Sequence, residues 1–258
     1  MTKIYYIPGS HPCNAVFAAA DLKGIKYKKV VVIPPAHRAQ MTLMFGNRTV
    51  PAMKFTDPVS GATEKVQTSR AIMRTLDSLV PEPPLYPADS GERERVLAAE
   101  TWADGDFQDI GRRLVWAALL RSPSSMLSYG ANDRVPLPKI AQRIAAKPVS
   151  WIQSKLNRAS DSNVREDLAN LPALLDQVDG YIADGVIGGE VPNAADLQIA
   201  ASLALWMSID DIRPAIEGRP AEALVQRLFP SESGRVPAGT LPSEWLAPLR
   251  GSVTAAAV

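Results

Sequence analysis

Between residues 81 and 89 the chain reads PEPPLYPAD, with prolines at 81, 83, 84 and 87. Proline donates no backbone hydrogen bond, and its ring clashes with the preceding turn of a helix. Neither a helix nor a central strand continues through such a run. The run therefore reads as a linker, with one folded unit before it and another after it. The patterns on its two sides differ in kind. Before it come short extended runs: KIYYI (3–7), KYKKVVVI (26–33, ended by Pro34-Pro35), VPAMKF (50–55) and EKVQ (64–67). The first two are β-branched and aromatic and read as strands; the last two are short strands joined by a hairpin turn at DPVSG (57–61). Residues 12–23 read as a helix, with Pro12 in its first turn and Gly24 as its stop. Residues 69–80 read as another, with Ile72, Leu76, Leu79 and Val80 on one face. Residues between the second and third strands form a looser segment. The order βαβ, then ββα, predicts a mixed sheet with helices packed on it.

Beyond the linker the pattern is helical throughout. Residues 92–121 carry Val96, Leu97, Trp102, Phe107, Ile110, Leu114, Trp116 and Leu120 as one long helical pattern. Residues 140–156, 164–185, 192–209 and 220–229 continue it. The stretch 231–249 is rich in Pro, Gly and Ser and is expected to lie over the surface, pinned by Trp245. The expected fold class is α/β plus all-α. The divisions are residues 1–81, a linker over 82–91, and an all-helical domain over 92–258.

Composition excludes several functions. The chain has 258 residues, 46% apolar and 21% charged, ordinary for a soluble protein with a sizeable core. A net charge of +1 with no long run of one sign offers no argument for nucleic acid or an anionic membrane. One cysteine rules out an internal disulfide framework and any multi-thiolate metal site, and the two histidines, His11 and His37, leave little for zinc. The N-terminus resembles neither a signal nor a transit peptide. The longest apolar stretch, residues 197–209, is too short to span a bilayer. A cytoplasmic (cytosolic) location is expected, with no cofactor and no metal.

Four short motifs stand in order along this plan. They are YYIPGSHPCNAV (5–16), TVPAM (49–53), TSRAI (68–72) and PNAADL (192–197). Together they resemble the cytosolic glutathione transferases. The first is similar to the active-site loop of the serine-type classes, the delta class above all. The second resembles the segment carrying the cis-proline, and the third the start of the third helix. The fourth resembles the box that opens the core helix of the second domain. The resemblance implies a thioredoxin-like thiol-binding first domain, a homodimer and a role in detoxification. It also implies a reaction in which glutathione or a related thiol, as co-substrate, is added to a small electrophile. Residues 122–163 match nothing in it.

Ser10 falls where a strand ends and a helix begins. Helix starts expose unpaired N–H groups and a partial positive charge, which favour an anion. The residues alone favour Ser10 as an N-cap and Cys13 as a small core residue; the resemblance makes Ser10 the thiol-activating hydroxyl. The other residues that the resemblance brings to the ligand are Pro12, Cys13, Arg48, Val50, Pro51, Thr68, Ser69 and Arg70. A cis bond at Val50-Pro51 would turn the Val50 amide and carbonyl toward the ligand. Ser69 and the helix that it opens would receive the γ-glutamyl carboxylate. Arg48, or His37 and Arg38, would serve the glycine carboxylate; a solvated loop accounts for them equally well.

Thr68 departs from the family, which has an acidic residue there for the α-ammonium. Asp104 or Asp106 of a neighbouring subunit, or Gln67, would have to compensate. Trp102, Phe107 and Trp116 are candidates for the electrophile pocket, although core packing explains them as well. The alternatives are a thiol–disulfide enzyme acting through Cys13, and a non-catalytic ligand-binding or scaffold protein of the same fold.

Overall fold

The computed structural model describes residues 1–231 and 234–249. The first region is a four-stranded mixed sheet with helices on it. Its elements are β1 (Thr2–Tyr6), α1 (His11–Leu22), β2 (Tyr27–Val31), α2 (His37–Phe45), β3 (Ala52–Thr56), β4 (Thr63–Gln67) and α3 (Ser69–Leu79). The strand order is β2-β1-β3-β4. β1 and β2 run parallel, with Tyr5 opposite Val30, while β3 lies antiparallel to both β1 and β4. A parallel pair needs a crossover, and α1 supplies it. The predicted strands and helices are all present. The looser segment is in fact a helix, α2. It buries only His37 and Met41 and ends at Gly46, whose φ of 92° is the left-handed conformation that glycine adopts freely.

The second region is all-helical. It holds α4 (Ser90–Trp102), α5 (Gln108–Arg121), α6 (Met126–Tyr129), α7 (Lys139–Leu156), α8 (Asp161–Ala183), α9 (Ala194–Met207) and α10 (Pro220–Leu228). The single long pattern over 92–121 is two helices, joined by a π-helical turn over Ala103–Phe107 in which Gly105 leaves helical geometry (φ −92°, ψ −119°). A period of 3.6 continues on both sides of such a turn, so the pattern carries no sign of the break. α9 is buried almost throughout and is opened by a capping box. The Asn193 side chain accepts from the amides of Ala195 and Asp196, and the Asp196 carboxylate accepts from the Asn193 amide. Trp245, Leu241, Leu246 and Leu249 are buried, and the Arg121 guanidinium lies 4.5 Å from the centre of the Trp245 ring, so the last stretch is pinned as expected. Residues 250–258 of that expected domain lie outside the described residues. Among the described residues no helix is long and apolar enough to cross a membrane.

One core runs through both regions. Val16, Ile72 and Leu76 from α1 and α3 join Leu114, Leu168, Ile199 and Trp206 from α5, α8 and α9. The linker is tied down at its start. The Lys23 ammonium, with no exposed surface, donates to Asp77 Oδ1 (2.6 Å) and to the carbonyls of Pro81 (3.1 Å) and Pro83 (2.5 Å). Prolines leave carbonyls without the amides that would pair them locally, and one buried cation satisfies two of these acceptors.

Candidate functional site

A cleft of about 590 Å³ opens between the two regions, and Ser10 lies on it. β1 ends at Tyr6 and α1 begins at His11, so Ser10 is the N-cap of α1, extended at φ −73° and ψ 108°. Its carbonyl accepts from the amides of Cys13 and Asn14, both at 3.0 Å. Its hydroxyl caps no amide of the helix and points to the Cys13 thiol. The capping explanation for Ser10 is thus met by its backbone but not by its side chain. Pro12, at the second helical position, is buried beside it and also lines the cleft.

Cys13 does not line the cleft. It has no exposed surface, and burial pushes its thiol up to about 12, against smaller opposing effects of the Ser10 hydroxyl, the Ile7 backbone and Arg112. A thiol that stays protonated and shielded is a poor nucleophile. His11 is buried as well. Its Nδ1 lies 3.0 Å from the Ser202 hydroxyl of α9, and burial, then Arg112, holds its pKa well below the usual imidazole range. The neutral ring joins α1 to α9 beneath the cleft.

Arg48 and Val50 line the same cleft further along. The Val50-Pro51 bond is cis, and Pro51 is buried behind it. The Pro51 carbonyl accepts from the Thr68 amide at 3.2 Å, so the strip from Ser10 past Val50 reaches the start of α3. Thr68 stands at φ 82°, a conformation costly for a β-branched residue, and its hydroxyl accepts from the Ala71 amide at 3.3 Å.

At α3 the structure departs from the expectation for side chains. Ser69 is 2% exposed, and its hydroxyl is bracketed by Asp104 Oδ1 (3.2 Å) and Gln198 Nε2 (2.8 Å). It is therefore engaged within the protein and not presented to a ligand. Arg70 turns away from the cleft. Its Nε reaches Glu100 (3.3 Å) and its Nη2 the Thr101 hydroxyl (2.8 Å). Glu100, fully buried, also accepts from Arg74 (3.0 Å) and Tyr86 (2.8 Å). Asp104 was expected to act from a neighbouring subunit; within this one chain it already stands beside Ser69.

Three guanidinium groups on the cleft, those of Arg38, Arg48 and Arg158, make no ion pair among the described residues. Arg113, by contrast, is held by both oxygens of Asp167 (2.6 and 2.7 Å), and Arg112 by Asp109 and Gln108. His37 lies beside Arg38; burial first and that guanidinium second lower its pKa to about 4, so it is neutral at pH 7. The cleft therefore carries net positive charge. Of the proposed aromatic wall only Trp116 lines it. Phe107 is fully buried against Trp206, and Trp102 packs on Phe107 and Tyr181. The remaining wall comes from the segment with no counterpart in the motifs. α7 contributes Gln142, Ala145, Val149 and Gln153, and Tyr129 and Gly130 close one end. Residues 142, 145, 149 and 153 recur at helical spacing, but as Gln, Ala, Val and Gln they form no apolar stripe, and no motif gives them meaning.

Residues 4–84 match the sequence profile of the family described as glutathione S-transferase, N-terminal domain. No curated protein matches the chain. Among solved structures, FzlA from C. crescentus aligns over 96% of this chain and 98% of its own, with 16% identity and a TM-score of 0.61. Glutathione transferase F7 from Populus trichocarpa aligns over 98% and 99%, with 12% identity and a TM-score of 0.58. Maleylacetoacetate isomerase from Anaeromyxobacter dehalogenans, with bound dicarboxyethyl glutathione and citrate, aligns over 98% and 94%, with 19% identity and a TM-score of 0.51. At these identities the shared property is the fold: a glutathione transferase-like sheet region followed by an all-helical region.

Proposed function

We propose that the chain is a glutathione S-transferase-like enzyme, a transferase or isomerase that binds a low-molecular-weight thiol and adds it to a small electrophile. The thiol, glutathione or an analogue, lies along the strip from Ser10 past Val50 to the start of α3. The Ser10 hydroxyl donates to the thiolate, and the start of α1 favours its charge. A hydrogen bond to a charged acceptor is worth roughly 1.5–3 kcal/mol, which lowers a thiol pKa by about one to two units. Arg48 and Arg38 suit a carboxylate at the other end of the thiol. The electrophile occupies the space between Ser10, Trp116 and α7.

The observation that carries this reading is the contrast at the start of α1: Ser10 lines the cleft and its hydroxyl, beside the Cys13 thiol, caps no helix amide, while Cys13 itself is sealed away. It disfavours the thiol–disulfide reading through Cys13. Isothermal titration of glutathione and other cellular thiols against the purified protein tests it, together with the thiolate absorbance of the bound ligand against pH. Absence of binding by every thiol refutes it. The second reading is a non-catalytic ligand-binding or scaffold protein of this fold. It is favoured by Thr68, which carries no charge for an ammonium, and by Ser69, whose hydroxyl is already engaged. The homodimer and the cytoplasmic location belong to the same proposal; sedimentation at micromolar concentration checks the first.

A further inference from the structure

The outward face of α7 reverses the usual polarity of a surface helix. Its buried residues are small or polar: Ala146, Ser150, Gln153 and Ser154, with the Ser150 hydroxyl lacking a partner among the described residues. Its large apolar side chains point out. Ile140 is 70% exposed, Ile144 74% and Trp151 56%. At about 100° per residue these three fall within an arc of roughly 40° on the side away from the buried residues. Arg143 and Lys147 flank that arc on one side and Lys155 on the other. Between residues 134 and 160 there are six basic residues, Arg134, Lys139, Arg143, Lys147, Lys155 and Arg158, and no acidic one. A net charge of +1 averaged over the chain hides this concentration.

We propose that α7 docks the protein on an anionic lipid surface. An exposed apolar stripe with an aromatic residue, bordered by basic side chains, suits the boundary between headgroups and acyl chains. The lysine and arginine stems extend beside the stripe and place their charges among lipid phosphates. Charge excludes two other occupants. A second copy meeting this face by two-fold symmetry would bring the same basic residues against themselves. The end of the chain, residues 250–258 (RGSVTAAAV), has no acidic side chain to complement them. An apolar stripe with a tryptophan, exposed along one helix face and bordered by basic residues on both sides, favours a bilayer over a folded acidic partner. This inference is independent of the thiol chemistry.

The test is flotation of the full chain with vesicles of phosphatidylcholine, with and without phosphatidylglycerol, at low and high salt. Binding is expected only with phosphatidylglycerol and is expected to fade as salt screens the charges. Arg143→Gln should weaken it about fivefold, from roughly 1 kcal/mol per basic residue. Ile144→Ser should weaken it about tenfold or more. Both sites are exposed, and unchanged circular dichroism confirms folding. Trp151 emission should shift to shorter wavelength on the vesicles, a change absent in Trp151→Phe. Failure of the folded protein to bind phosphatidylglycerol vesicles at low salt overturns the proposal, as does equal binding to pure phosphatidylcholine or binding unchanged in both variants. Capture by an acidic peptide without vesicle binding assigns the face to a protein partner and overturns it too. So does a dimer that dissociates on Ile144→Ser, which assigns the face to a second copy.

Discussion

α1 and α3 both start with a serine, at or just inside the helix boundary, on the same edge of the molecule, yet the two starts have opposite surroundings. Ser10 is half-buried on a cleft, and its hydroxyl leaves the helix amides alone. Ser69 is buried, with its hydroxyl between Asp104 and Gln198, and the next residue is held through Arg70 to Glu100. One start lies on the open cleft, its hydroxyl held by the neighbouring Cys13 thiol; the other is clamped to the helical region. A serine at a helix start thus has no fixed meaning. What packs against it decides whether the hydroxyl is reactive or structural.

The largest effect is expected at the clamp. Glu100 has no exposed surface and receives Arg70, Arg74 and Tyr86. Glu100→Ala removes the partner of two guanidinium groups and a buried phenol. Breaking a buried ion pair from one side costs about 3–5 kcal/mol. Arg70 and Arg74 are partly exposed, which places the expected loss at the lower end, about 3 kcal/mol. Urea unfolding checks it, and a loss below about 1 kcal/mol would mean that α3 is not clamped.

The open start should respond in the opposite manner. Ser10→Ala removes no side-chain cap, so stability should change by less than about 0.5 kcal/mol. The pKa of the bound thiol, read from its absorbance, should rise by about one to two units. A thiol pKa that stays put while the ligand remains bound refutes the role of Ser10 and makes the two starts alike.

Much of this contrast was not legible in the sequence. The strands, α1, α3 and the linker follow from local rules of alternation, capping and proline chemistry, and those rules act within a few residues. The clamp depends on contacts between residues 35 and 129 positions apart, Ser69 with Asp104 and with Gln198. No spacing encodes such contacts. α2 escaped because only two of its residues are buried, leaving no apolar stripe to read. The spacing over 140–156 predicts a helix but not its facing, because the large apolar residues of α7 point outward and the usual inference from polarity fails.

Cys13 sharpens the comparison from one turn further in. Its thiol is pushed up by burial, so folding favours the protonated form relative to the unfolded chain. The stability so gained is present below the unfolded value of 9.0 and is lost as pH rises from there toward about 12. Wild type should therefore lose stability against Cys13→Ala across that window. At pH 7 the substitution should cost only about 1 kcal/mol for the lost buried sulfur and leave thiol transfer intact. Loss of activity with an unchanged circular dichroism spectrum would make Cys13 the reactive group.

The smallest effect concerns the charge at the start of α3. A γ-glutamyl end brings one carboxylate and one ammonium. Thr68 supplies no negative charge, and its hydroxyl is already used by the Ala71 amide. Asp104 stands next to Ser69, and its carboxylate is half-buried with one donor from Ser69 and one from Gln108 at 3.4 Å. Two donors leave room on a carboxylate that accepts about four hydrogen bonds. Asp104 is therefore the expected partner of the ammonium. Asp104→Asn keeps an oxygen for Ser69 and removes the charge, so glutathione should bind about fivefold more weakly, a difference of about 1 kcal/mol. Thr68→Glu should tighten the wild type by less than tenfold, and should restore binding in the Asp104→Asn background, because one acid then replaces the other. If Asp104→Asn changes nothing while Thr68→Glu alone gives tenfold or more, the ammonium has no partner in the wild type. The clamped start of α3 would then be purely structural for glutathione, and the native thiol would be one without that ammonium.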